Sequence, residues 1–218
     1  MAISDPKCRK NNSREELHNR ILQEAKRLFM SNGIKVMTMD SIAASLTISK
    51  RTLYEEFPDK ETLVMEVVKQ VQCENEVMFS KVYEESDNVL QSILRIYYLV
   101  LQMVRDIHKD YFFDLKRYPS VNKMHEENKL RDRNKVVTFF QKGVSQGLFR
   151  GDMNYEIVNV FLEAQLEALK KSEITEKYPF NDVFDTLIFT FLRGIATDKG
   201  LLLIEKYKSD YFAGSLKP

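Results

Sequence analysis

A chain of 218 residues, 44% hydrophobic and 30% charged, is long enough to bury a substantial core, either as one large domain or as a small domain fused to a bigger one. No apolar run approaches the roughly 20 residues needed to cross a bilayer, since the best stretch, Tyr97 to Val104, leads straight into Arg105 and Asp106. The net charge of +1 hides an asymmetry: the first 57 residues carry ten basic against seven acidic groups, the remainder 23 against 25, as in a nucleic-acid module joined to a mildly acidic body.

Residues 1–13 read as a flexible arm, with positive charges but no apolar segment behind them, so a secretory leader is not expected and a cytoplasmic protein is. Cys8 and Cys73 have neither disulfide nor metal spacing and are expected as free thiols. Gly and Pro number only seven and five, and helical periodicity recurs without the alternation of a half-buried strand, which predicts an all-α fold. The first helix is expected from a capping box of Ser13 and Glu16, with Leu17, Ile21, Ala25 and Leu28 on one stripe and Gly33 at its end. A short helix follows from a Thr38 cap to Leu46, and another from a Ser49 cap to about Phe57. Pro58 interrupts, and Asp59 caps a helix whose apolar face runs through Leu63, Val67 and Val71. Longer elements are predicted over 87–108, 119–147, 154–171 and 180–207, the last breaking near Gly200, with a short segment at 111–117. Along 180–195 the residues Phe180, Val183, Phe184, Leu187, Ile188, Phe191, Leu192 and Ile195 make an apolar stripe wider than one neighbouring helix covers, which implies a second partner surface.

Two short helices joined by a tight turn suit a helix-turn-helix reader, because the major groove, about 12 Å wide, admits a single helix. The second would be the reader. Leu53 and Phe57, one turn apart, face the core, leaving Lys50, Arg51, Thr52, Tyr54 and Glu55 at or near the exposed side, where the first four offer donors to phosphate or base edges.

The stretch RILQEAKRLFMSNGIKVMTMDSIAASLTISKRTLYEEFPDKETL, residues 20 to 63, resembles the TetR (tetracycline-repressor) family, with Ala25, Phe29, Gly33, Thr38, Ile42, Ala43, Ser49, Thr52, Leu53, Tyr54, Phe57, Lys60 and Leu63 in register. The resemblance implies a three-helix DNA-binding domain over 14–60, with DNA contacts at Thr38, Ser49, Lys50, Arg51, Thr52, Tyr54 and Lys60. It further implies a helical ligand-binding and dimerisation domain over 61–218. Two departures stand out. The usual turn glycine is Thr47, which costs energy if φ is positive there, and Glu55 and Glu56 place acids near phosphate, so their side chains are expected to turn away, in preference to Glu55 accepting from a cytosine amine. GLFRGDMN and FLRGI look like further family features, and the implied dimer interface falls on Phe161 and Leu162 together with Phe184, Leu187, Ile188, Phe191, Leu192 and Ile195.

The function expected is that of a ligand-released repressor, binding a pseudo-palindromic double-stranded DNA operator as a homodimer, with a small apolar or aromatic ligand. The alternative is a helical small-molecule or protein-binding module that no longer reads DNA. Tyr97, Tyr98, Met103, Phe112, Phe113, Tyr118, Phe139 and Phe140 are candidate pocket residues, although core packing is the commoner reason for aromatics at helical spacing. His125-Glu126 opens like the zinc motif H-E-x-x-H, but its fifth position is Lys129, and Glu15-x-x-His18 is a single copy of a pattern that di-iron sites need twice. His108 and Asp110 do not share a helix face, and no glycine-rich phosphate loop is present, so no catalytic residue, metal or cofactor is expected.

Overall fold

The computed structural model describes residues 6–171 and 174–212, and every regular element among them is a helix. In order they are α1 (Pro6–Asn32), α2 (Met39–Ser45), α3 (Lys50–Glu56), α4 (Lys60–Glu84), α5 (Val89–Arg105), α6 (Tyr111–Leu115), α7 (Pro119–Ser145), α8 (Tyr155–Lys171), α9 (Ile174–Lys177), α10 (Phe180–Ile195) and α11 (Asp198–Phe212). The expected capping box at Ser13 is not the start of α1, because the helix already runs from Pro6, a residue whose fixed φ and missing N–H suit the first helical position. The arm expected over 1–13 is thus helical from residue 6, and its first five residues lie outside the described ones. Cys8 belongs to this stretch and its side chain is outside the described residues, while Cys73 is an exposed free thiol.

The α2 and α3 caps fall where the side-chain chemistry puts them. Thr38 accepts from the Ser41 N–H at 3.0 Å, and the Ser41 hydroxyl accepts from the Thr38 N–H at 3.0 Å, a reciprocal box that fixes the start of α2. At its end the Thr47 and Ile48 N–H groups return to the carbonyls of Ala44 and Ala43, which requires a left-handed residue at position 47. Thr47 takes that conformation with φ of 56°. A β-branched residue there is strained by roughly 1–2 kcal/mol, part of which glycine's extra unfolded-state freedom takes back. Thr47→Gly should therefore raise stability by about 0.5–1 kcal/mol, seen as a higher midpoint in thermal unfolding; a lower midpoint would mean the turn carries no strain.

The helices gather into two compact units, one of residues 1–75 with 106–125, the other of 76–105 with 126–218. This differs from a division at residue 60. Leu63, Val64, Val67 and Val68 of α4 are needed to complete the core that Ile21, Ala25 and Phe29 of α1 share with Ile42, Leu53 and Phe57, and Tyr111 and Val121 join it from later in the chain. In the second unit Leu90, Leu94 and Tyr97 of α5 pack with Phe140, Phe149, Phe189, Leu192, Ile195, Ile204 and Tyr207.

The last long element breaks at Ala196 and Thr197, ahead of the expected Gly200. Ala196 is extended and pairs with Phe149, the Arg150 N–H donates to Ile195 O at 2.8 Å, and the Thr197 N–H to Leu148 O at 3.0 Å. The loop after α7 thus takes over the backbone groups that a continuous helix would use. Gly200 answers a different need: a Cβ there would lie 2.3 Å from Leu148 O, so the glycine permits close approach inside α11. No helix among the described residues is long and apolar enough to cross a membrane.

Candidate nucleic-acid interface

Helix α3 is held by its inner face. Ser49 Oγ accepts from the Thr52 N–H at 3.0 Å, and Leu53 and Phe57 are buried, so the helical period turns Lys50, Arg51, Tyr54 and Glu55 outward. The Arg51 side chain is 88% exposed, and Tyr54 is exposed as well. Ser49 and Thr52 spend part of their hydrogen-bonding capacity on each other, with their hydroxyls 2.8 Å apart. Thr38 is exposed and occupied in its capping box.

The charges on this surface are arranged rather than loose. Lys50 of α3 donates to Asp40 of α2. Arg51 Nε donates to Glu55 Oε1 at 2.8 Å, a bond that raises the guanidinium pKa. Glu56 turns to α1, where it accepts from Arg14 Nε at 2.8 Å and lies 3.3 Å from His18 Nδ1, while the His18 ring stacks on Phe57 at 4.5 Å. Glu56 therefore turns away from the exposed face as expected, whereas Glu55 stays on that face and engages Arg51.

Lys60, expected at the DNA, is engaged within the protein. Its ammonium donates to Ile34 O at 2.6 Å, and burial holds its pKa below the usual lysine value, so it stitches the chain between α1 and α2 to the start of α4. A second support comes from α6. Asp114 is buried and accepts from the Lys35 N–H at 2.6 Å, with Arg117 Nε 3.7 Å from its carboxylate, and the His108 N–H donates to Met30 O at 2.6 Å. Beside them, burial pushes the Tyr111 hydroxyl up to about 12. The sequence signal for this clasp is slight: one acid among Phe112, Phe113 and Leu115. Asp114→Ala would leave the Lys35 N–H without its charged acceptor and should cost about 2–3 kcal/mol, measurable by denaturant unfolding; a change below about 0.5 kcal/mol would remove the clasp from the account.

The aromatic residues expected to line a ligand pocket divide between the two units. Phe112 and Phe113 are exposed in the first, with the Arg117 guanidinium 5.4 Å from the Phe113 ring centre, and Tyr118 packs on that unit's core. In the second, Tyr97 and Tyr98 are buried and in edge contact at 4.9 Å, Phe140 stacks on Tyr155 at 5.4 Å, Phe139 lies 5.7 Å from Tyr83, and Met103 is partly exposed. Of these, Tyr97, Tyr98 and Phe140 belong to the second unit's buried core, and Phe139 packs against it.

A cavity instead opens between α8 and α10 as a groove of about 830 Å³, lined by Phe161, Gln165 and Leu169 on one side and Val183, Leu187 and Phe191 on the other. Of the residues expected at a dimer interface, Phe161, Leu187, Phe191 and Ile195 reach this groove. Leu192 is instead buried in the protomer's own core, at 1% exposure, and Ile195, at 3%, belongs to that core while bordering the groove. Leu162, Phe184 and Ile188 pack against the same core, Phe184 stacking on Tyr97 at 5.5 Å. The open face consists instead of a flank of α10 displaced toward Val183, Thr186 and Thr190, together with Phe161, which is 63% exposed.

A short helix seated on a small core, preceded by a second short helix and carrying cations on its open side, defines a helix-turn-helix protein. Residues 21–67 match the family described as bacterial regulatory proteins, tetR family. An uncharacterized HTH-type transcriptional regulator, YvaF of Bacillus subtilis, is 35% identical over 103 residues, 47% of this chain and 54% of that protein, so the match spans about half the relative's length. The HTH-type transcriptional repressor KstR2 of Mycolicibacterium smegmatis is 25% identical over 148 residues, 65% of this chain and 72% of that one. Among solved structures, a putative transcriptional regulator from Saccharomonospora viridis in complex with choline shares the fold with a TM-score of 0.71 at 19% identity, over 84% of this chain and 99% of that one. Over residues 21–67 the chain is thus similar to the TetR family of bacterial regulators, and over most of its length it shares their fold.

Proposed function

We propose that the protein is a DNA-binding transcriptional repressor that acts as a dimer on a pseudo-palindromic operator and is released by a small apolar or aromatic ligand. The observation that carries this reading is the seating of α3: Leu53 and Phe57 lock it to the core and leave Lys50, Arg51 and Tyr54 on its open side. Those side chains have the donors and the reach to meet phosphates and base edges. The repressor named among the relatives supports the sign of regulation.

Dimerisation is supported by the groove between α8 and α10, because a soluble chain seldom leaves so large an apolar surface uncovered. A dimer would carry two reader helices, matching the two half-sites about 34 Å apart of a pseudo-palindromic operator. Residues expected to meet the ligand include Tyr97, whose buried hydroxyl has no hydrogen-bond partner among the described residues and stands among Phe184 and Phe189. That setting suits a mainly apolar molecule with a polar atom. Such a ligand must bind the DNA-incompetent form of the dimer more tightly, since it shifts the balance only by that difference.

The test is selection of bound sequences from random duplex DNA by the purified protein, followed by binding to the selected duplex over a salt series. The expected result is a pseudo-palindrome bound in the nanomolar range with affinity falling steeply as salt rises. Binding that is weak and blind to sequence, with protein freed of any copurified ligand, would overturn the reading in favour of a module that does not read DNA.

A further inference from the structure

We infer that Glu55 is a specificity-determining positioning residue: it holds Arg51 so that the guanidinium reads a guanine edge, and it repels the phosphate that Arg51 would otherwise seize. The inference rests on the DNA-binding reading above and goes further, assigning a role to an acid that the charge pattern alone marks as a liability.

The geometry is specific. Glu55 Oε1 engages Nε of Arg51 at 2.8 Å, one helical turn away, and the two Nη groups have no partner among the described residues. Guanine offers O6 and N7 side by side in the major groove, and the Nη1/Nη2 edge of an arginine is one pair of donors that matches them bidentately. A free arginine on an exposed helix must give up much of its rotamer freedom to present that edge. With Nε already committed along the helix, less is left to lose when the base is met. The other acid of the pair, Glu56, is drawn off to Arg14 and His18, so it does not compete for Arg51.

The same carboxylate acts oppositely on sequence-blind binding. Nonspecific complexes depend on cations neutralising phosphates, and each contact adds close to one unit to the slope of log affinity against log salt. A Glu55 carboxylate beside Arg51 offsets that cation's charge and is itself repelled by the backbone. Lys50 is subdued in the same manner by Asp40 across the turn. An exposed ion pair of this kind adds little to stability, which frees it to serve selectivity.

The experiment compares wild type with Glu55→Ala, Glu55→Gln, Arg51→Ala and the Arg51→Ala/Glu55→Ala double variant, on the selected operator and on a scrambled duplex of equal composition, over a salt series. Glu55→Ala should weaken operator binding about tenfold, tighten scrambled binding several-fold with a steeper salt slope, and lose the same base pair from a repeated selection as Arg51→Ala. Glu55→Gln, whose amide oxygen still accepts from Nε without charge, should recover most of the operator affinity while scrambled binding stays tightened. In the double variant the Glu55 effect on the operator should vanish. A parallel rise on both duplexes would show that Glu55 only masks charge and would overturn the inference. So would loss of a base pair that Arg51→Ala retains, since Glu55 would then read a base itself. A wild type without sequence preference would overturn the DNA-reading proposal, and this inference with it.

Discussion

In the proposed dimer, Phe161→Asp should yield monomers and lower operator affinity at least a hundredfold. Phe161 projects from α8 into the groove shared with α10 and is 63% exposed, so its removal costs the protomer little of its own core. In a dimer closed over that groove the ring would be a central aromatic anchor, the type of residue whose loss is worth about 2 kcal/mol or more. An aspartate in its place adds the cost of burying a carboxylate with no partner, on the order of several kcal/mol. Two half-sites held by one dimer act at a high effective concentration, and separating them forfeits roughly a hundred- to ten-thousandfold in affinity without touching the reader. Sedimentation and operator binding measure the two effects. Leu202→Asp, on an even more exposed side chain of α11 outside the groove, is the matching control and should leave the mass unchanged. A Phe161→Asp protein that remains dimeric would move the interface elsewhere.

The second large effect is expected at the reader. Arg51→Ala with Tyr54→Ala should weaken operator binding by roughly a hundredfold or more, since a symmetric dimer uses each side chain twice and a base-reading arginine alone accounts for about ten- to a hundredfold. Both side chains are exposed, so the helical circular dichroism signal, the melting temperature and the dimer mass should hold. Unchanged affinity in the folded dimer would mean that α3 is not the element entering the groove.

Local chemistry made much of the reader legible from sequence. Thr38, Ser49 and Asp59 each cap the helix that follows, because a short side-chain oxygen beside an orphaned N–H is a signal contained within four residues. Leu53 and Phe57 were readable for a like reason: their spacing of four residues places them on one face. The partners of Glu56 were not readable, since Arg14 and His18 lie 42 and 38 residues away. Asp114 meets Lys35 across 79 residues and gives no local sign of doing so. At the C-terminal end a wide apolar stripe announced two partners for α10, but periodicity does not say which flank meets the protomer's own core. Leu192 thus lies in the protomer's own core, while Ile195 belongs to that core and still borders the groove. Gly200 misled for a related reason, since a glycine required by close approach looks in sequence the same as one that ends a helix.

The clasp between Asp114 and Lys35 also bears on how this architecture can be recombined. The first compact unit is assembled from two separate lengths of chain, so it is not a cassette with one entrance and one exit. Grafting residues 1–75 alone onto another regulator would bring in Ile34 and Lys35 without the Asp114 and Tyr111 that finish their surroundings. A chimera intended to carry α3 and the core that seats it onto another chain must therefore transplant 106–125 as well.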